Sequence, residues 1–186
     1  MTERISPKAL RQYPWWLQLL FKIQKKKFGQ VLMPSLLWGY SPWQCFTMTV
    51  FFLAVDRKHS PLDPVLKSLI MTRVAQLIEC RYCIDINGAM LLERSQSREK
   101  VINLQHWKTS SQYTEVEKLS LEYAETMTLN STPVSDALFS KLREHFSNEA
   151  LVELTGVIAY QNLSARFNAA LNIAPQGFCE LPLNQS

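Results

Sequence analysis

The sequence predicts an all-α fold, on three observations. Only 5 of the 186 residues are glycine, so tight turns and strand bulges are few. No stretch of useful length alternates apolar and polar residues as a half-buried strand would. Apolar residues recur instead at helical spacing between breaks rich in proline, serine and asparagine. Hydrophobic residues make up 47% of the chain and charged residues 19%, the balance of an ordered globular protein rather than a disordered one.

Taken in order, Tyr13-Pro14-Trp15-Trp16 opens the first helix, since proline suits a first turn. Trp16, Leu19, Leu20 and Ile23 share a face, and lysines follow, so an amphipathic helix docked on the body is expected, with lysine stems along its edge. Pro34 and Pro42 bracket a loop around Trp38-Gly39-Tyr40. Residues 43–55 are apolar on every side, which predicts a buried helix with Cys45 as a small hydrophobe inside it. Ser60-Pro61-Leu62-Asp63-Pro64 is a break and then a helix start. The helix over about 64–78 turns Val65, Leu66, Leu69, Ile70, Val74 and Leu77 inward, and a second runs through Ile84, Ala89, Met90, Leu91 and Leu92.

Ser97 caps a short helix, and Thr114-Glu115-Val116-Glu117 is a capping box for a helix to about 128. Asn130 to Pro133 breaks that helix, and residues 135–146 form another. Ser147 caps a long helix over 148–172, with Leu151, Leu154, Val157, Ile158 and Leu163 expected in the central core; Pro175 and Gly177 end it. Residues 1–60 are expected as a helical N-terminal extension packed on a helical core of residues 61–186.

The net charge of +4 is unevenly placed. Arg4, Lys8, Arg11, Lys22, Lys25, Lys26 and Lys27 stand against Glu3 alone within residues 1–30, which leaves the remainder slightly acidic. Basic aromatic helices also serve at membrane surfaces and on nucleic acid. Membrane contact by residues 10–28 is the lesser alternative to docking, and nucleic acid is not an expected partner. No apolar run reaches the ~18 residues of a membrane span. The stretch Trp15 to Ile23 is broken by Gln18 and Lys22 and lacks the small-residue cleavage site of a signal peptide. A cytoplasmic location is expected, where the four cysteines are reduced, reactive or metal-bound rather than a disulfide framework.

Chemistry concentrates at Cys80-Arg81-Tyr82-Cys83, at the start of a helix. Cysteines three residues apart on a helix approach closely enough to form a disulfide. The unpaired N–H groups and the dipole of a helix start favour a thiolate, and Arg81 between them adds positive potential. A thiolate attacks peroxide oxygen or a disulfide sulfur, and the second cysteine resolves the product. Zinc would need two further ligands, and Cys45, Cys179, His59, His106 and His145 form no ligand spacing. A thioredoxin fold would need strands around the motif. No cofactor and no metal are expected.

The segment from Leu66 to Asn87, LKSLIMTRVAQLIECRYCIDIN, resembles the core motif of the carboxymuconolactone decarboxylase family in its AhpD-like branch. The resemblance continues through Tyr113 to Met127 and through Leu151 to Ala174, including Asn162 and Arg166-Phe167-Asn168, and covers about residues 60–175. Tyr13-Pro14-Trp15-Trp16 and the break at Ser60–Pro64 are similar to an extension in one subgroup. The resemblance implies an all-α fold, homo-oligomers and a thiol peroxidase, with Cys83 attacking a hydroperoxide, Cys80 resolving, and an external dithiol protein restoring the pair. Decarboxylation of a muconolactone, the family's other activity, is not expected to use a C-x-x-C and is the weaker inheritance.

Two positions depart from that branch. Its proton relay has glutamate twelve residues before the first cysteine and histidine four after the second; here these are Ser68 and Asn87. Asn87 shares a helix face with Cys83 and can orient a water or a peroxide oxygen, as Ser68 can, but neither exchanges a proton near neutral pH. Candidate substitutes are Glu79, Asp85, Tyr82 and His145, although capping or solvated roles are the ordinary ones for the carboxylates and for a histidine at a helix end. General acid–base help is worth about 10²–10⁴-fold, so weak turnover is expected unless another group serves. The competing expectation is a redox-sensing or structural oligomer that is oxidised once without turnover.

Overall fold

The computed structural model describes residues 3–129 and 133–181. Among these residues there are nine α-helices and no strand. They are α1 (Trp15–Phe28), α2 (Met33–Trp38), α3 (Pro42–Val55), α4 (Pro64–Leu77), α5 (Arg81–Ser95), α6 (Arg98–Ile102), α7 (Glu115–Leu129), α8 (Asp136–His145) and α9 (Asn148–Ala170). Several begin where a side chain takes over the orphan N–H groups of the first turn. Asp63 Oδ1 accepts from the N–H groups of Val65 and Leu66 at 2.7 and 3.1 Å ahead of α4. Ser97, Ser135 and Ser147 cap α6, α8 and α9 in the same way. Thr114 and Glu117 exchange reciprocal bonds of 2.9 and 3.2 Å, the expected capping box of α7. The break expected at Asn130 to Pro133 lies, apart from Pro133, outside the described residues.

Helix α4 is central: it packs on α5, α7 and α9 and buries every residue from Leu66 to Gln76 except Arg73. Each large apolar side chain so buried contributes roughly 1.5–3 kcal/mol. Lys67 lies among them with its charge partnered, donating to Val55 O at 2.8 Å and lying 3.6 Å from Glu153. From α9, Leu151, Leu154, Val157 and Ile158 enter the core as expected, whereas Leu163 is 45% exposed.

The N-terminal helices depart from expectation in three ways. Helix α1 docks by Leu17, Phe21 and Gln24, while Leu19 and Ile23 of the expected inner face are exposed. Tyr13 sets that register. Its ring meets Phe21 edge-on at 5.1 Å, and its hydroxyl donates to Leu36 O at 3.0 Å. Gly39 lies under the same ring, where a Cβ would come within 2.8 Å of it. Pro34 starts a helix instead of opening a loop, as proline can in a first turn, so the connection shrinks to residues 39–41. Helix α3 forms where expected but is not buried. Only Cys45 and Val55 are; Trp43 is 76% exposed, and Phe46, Val50, Phe51 and Leu53 are open too. An all-round apolar helix needs cover, and this chain supplies cover on one side only.

A clasp joins these helices to the core. The Asp85 carboxylate accepts from the backbone N–H groups of Gln176, Gly177 and Cys179, each at 2.8 Å. The Gln176 side chain then donates to Val31 O at 3.1 Å and accepts from Met33 N–H at 2.8 Å. Trp38 stacks on Phe167 of α9 with ring centroids 3.6 Å apart.

Candidate active site

The turn between α4 and α5 builds the site. Glu79 takes a left-handed φ of 56°, which ends α4, and the extended Cys80 caps α5. Cys80 Sγ accepts from the Cys83 N–H at 3.3 Å, the place serine usually fills. Cys83 therefore stands at the third helical position with its sulfur 2.6 Å from that of Cys80. Both are free thiols and both are buried.

The pair is electrostatically unequal. Contact with the Cys83 thiol holds Cys80 below the ordinary thiol range, and the N–H groups of Cys83 and Tyr82 assist against the effect of burial. Burial pushes Cys83 well up and the neighbouring Cys80 adds to this, while contacts with Asn168 and Gln161 pull it part of the way back. Of the two, Cys80 is thus the more readily ionised and Cys83 the less. Arg81 is not among the groups that lower Cys80 or Cys83, contrary to expectation. As the first residue of α5 its side chain is exposed, and its guanidinium donates to Asn172 Oδ1 at 3.2 Å.

Cys83 lines a cavity of about 380 Å³. Leu20, Trp38, Met48 and Phe52 wall it from α1–α3, and Met71, Ile86, Met90 and Tyr160 from α4, α5 and α9. A polar part of the lining includes Asp56 and Arg94, paired at 2.6 Å. The cavity is thus a mainly apolar chamber roofed by the N-terminal helices, with a sulfur in its wall.

The two relay positions are placed differently from each other. Asn87 lines the cavity and donates to Met71 O at 3.3 Å. Ser68 is buried, and its hydroxyl accepts from Arg94 Nη1 at 2.9 Å. Of the candidate substitutes, Asp85 is committed to the clasp, Glu79 is exposed at the turn, and His145 is exposed on the last residue of α8. Tyr82 lines the cavity, but burial pushes its hydroxyl well above the ordinary range. Cys45 also lines the cavity, and burial pushes its thiol up to about 11. Cys179 is raised by burial as well. Among the described residues no three His, Cys, Asp or Glu side chains are grouped so as to hold a metal ion.

Two residues at the sulfur were not singled out by sequence reasoning. Asn168 Nδ2 donates to Cys83 Sγ at 3.2 Å, and the Gln161 amide lies close enough to lower the Cys83 pKa. They sit one above the other on α9, seven residues apart. The sequence separation from Cys83 hides them; Asn168 stood only within the resembling Arg166-Phe167-Asn168.

Residues 44–126 match the carboxymuconolactone decarboxylase family. The chain belongs to that family. It is 39% identical to the uncharacterized protein YnjA of Escherichia coli strain K12, over 97% of this chain and 95% of that one. Among solved structures, this family member resembles the alkylhydroperoxidase AhpD core of a peroxidase-related protein from Ralstonia eutropha JMP134, with a TM-score of 0.88 and 19% identity over 99% and 98% of the two chains. It also resembles the debrominase Bmp8, with a TM-score of 0.80 and 22% identity over 92% and 91%. The carboxymuconolactone decarboxylase family fold here is therefore the AhpD-like one, and among the described residues no helix is long and apolar enough to cross a membrane.

Proposed function

We propose that the protein is a thiol peroxidase that reduces organic hydroperoxides through Cys83 and Cys80. One observation carries this reading: of the close pair, Cys83 is the sulfur in the cavity wall, while Cys80 stands behind it as the helix cap. Cys80 as thiolate takes the proton of Cys83 across the short contact, in place of the relay that Ser68 and Asn87 do not provide. The Cys83 thiolate attacks the outer oxygen of the hydroperoxide. The O–O bond breaks, Cys83 becomes a sulfenic acid, and the departing alkoxide takes the proton from Cys80 to leave as the alcohol. Cys80, again a thiolate, displaces hydroxide from the sulfenic acid and closes the disulfide. An external dithiol protein returns two electrons and two protons. A reducing compartment, the cytoplasm, suits a resting dithiol of this kind.

The test is peroxide consumption with a dithiol reductant by wild type and by Cys83→Ser. Turnover lost in the variant supports the reading. Equal traces without any Cys80–Cys83 disulfide would end it. The lack of a histidine or glutamate at positions 87 and 68 favours one competing reading, a redox sensor; a single stoichiometric burst of oxidation with no further turnover would establish that instead. The open apolar face of α3 further supports a homo-oligomer as the working form, a second copy covering Trp43 and its neighbours.

A further inference from the structure

Two polar atoms beside the Cys83 sulfur are buried without a hydrogen-bond partner among the described residues: Gln161 Nε2 and Asn168 Oδ1. Their residues are 2% and 1% exposed, and both line the cavity. A buried polar group left unpaired is costly, and native structures rarely keep two together without a use for them. One is a donor and the other an acceptor. The Asn168 amide is oriented by its own Nδ2, which donates to Cys83 Sγ, so Oδ1 is the atom left over.

We infer that Gln161 and Asn168 form the subsite that holds the –O–OH group of the substrate against Cys83. The inference rests on the peroxidase reading above. Asn168 Oδ1 accepts from the O–H of the outer oxygen, which places that oxygen beside the sulfur its own Nδ2 already touches. Gln161 Nε2 donates to the inner oxygen. As the S–O bond forms and the O–O bond breaks, negative charge grows on that inner oxygen, so the Gln161 donor is stronger in the transition state than in the ground state. Loss of one such donor typically costs about 10²-fold in rate. The subsite is selective by chemistry: a disulfide oxidant carries neither the O–H nor the departing oxygen.

Gln161→Met keeps the size of the side chain and removes the donor. Because that donor makes no hydrogen bond within the fold beyond its contact with the Cys83 sulfur, the variant is expected to fold and melt like wild type. Its kcat/KM for an organic hydroperoxide such as cumene hydroperoxide should fall about 10²-fold, while oxidation of the same Cys83 by a small aromatic disulfide, which feels only the loss of the Gln161 contact that lowers the Cys83 pKa, should fall far less, by about tenfold at most. Asn168→Leu should weaken both reactions strongly, because it removes the 3.2 Å hydrogen bond to Cys83 Sγ, the larger of the two contacts that lower the Cys83 pKa, together with the acceptor for the O–H. An equal fall of both reactions in Gln161→Met, no fall in either, or a clearly lower melting temperature would overturn the inference. If wild type itself consumes no hydroperoxide, the peroxidase reading fails and takes this one with it. If wild type is active and Gln161→Met is too, only the subsite fails.

Discussion

Cys80 caps the helix that carries Cys83, so one local motif sets both the distance between the sulfurs and the difference in their proton affinity. The N–H of Cys83 donates to Cys80 Sγ at 3.3 Å, and the sulfurs are 2.6 Å apart. Proton affinity is lowered at the sulfur behind and raised at the sulfur facing the cavity. The device resembles a conventional serine cap, with a cap atom that can ionise and exchange a proton.

Removing the Cys83 thiol should raise the Cys80 pKa, since contact with that thiol is the largest influence lowering it. The sign follows directly. In wild type the thiolate forms as pH rises through a value below the ordinary thiol range, and in Cys83→Ala the same limb moves to higher pH. Thiolate ultraviolet absorbance against pH, or the rate of iodoacetamide alkylation, reads the shift. Cys45, pushed up to about 11, should remain unalkylated near neutral pH.

Asp85 holds the chain together rather than moving protons. It accepts three backbone N–H groups of the segment that Gln176 ties to residues 31–33. Asp85→Ala should cost roughly 1.5–3 kcal/mol in denaturant unfolding, because three part-buried backbone N–H groups lose a charged acceptor. It should also speed alkylation of Cys83 by loosening the roof of the cavity. Full stability with abolished turnover would return Asp85 to catalysis.

Two glycines should respond to alanine with opposite sign. At Gly39 a Cβ meets the Tyr13 ring at 2.8 Å, so Gly39→Ala should destabilise by about 1–3 kcal/mol, the usual range for overpacking. At Gly156, inside α9, a Cβ meets nothing within 4 Å, so Gly156→Ala should stabilise by about 0.5–1 kcal/mol through helix propensity. Thermal unfolding of the pair tests both.

The exposed aromatic face joins α1 and α3 through Trp16, Trp43 and Phe46, whose rings lie 6.1–6.4 Å apart. If a second copy covers this face, Trp43→Ser with Val50→Ser should shift sedimentation velocity toward monomer and leave the helical circular dichroism unchanged. Unchanged sedimentation would assign the face to something else.

Helix boundaries were legible because caps are local. Asp63, Ser97, Thr114 with Glu117, and Ser147 act within three residues of themselves, and the structure uses each of them. The C-x-x-C was legible for the same reason. What failed depended on distant partners. The inner face of α1 is chosen by Tyr13 against Leu36, and the environment of α3 by how much of its surface the rest of the chain reaches. Gln161 and Asn168 are ordinary polar residues of a long helix until the fold brings them to a sulfur far away in sequence. Asp85 gave a carboxylate next to a cysteine motif, and only the returning tail shows that its lone pairs are already taken.

The most direct measurement of the central claim is a single-turnover reaction of the reduced protein with one equivalent of an organic hydroperoxide, followed by intact mass and peptide mapping. Expected are one alcohol released per chain and a Cys80–Cys83 disulfide in wild type, a sulfenic acid on Cys83 in Cys80→Ser that forms more slowly for want of the Cys80 base and then persists, and no reaction in Cys83→Ser. Hydroperoxide consumed equally by Cys83→Ser, or a wild-type protein left fully reduced, would contradict the claim.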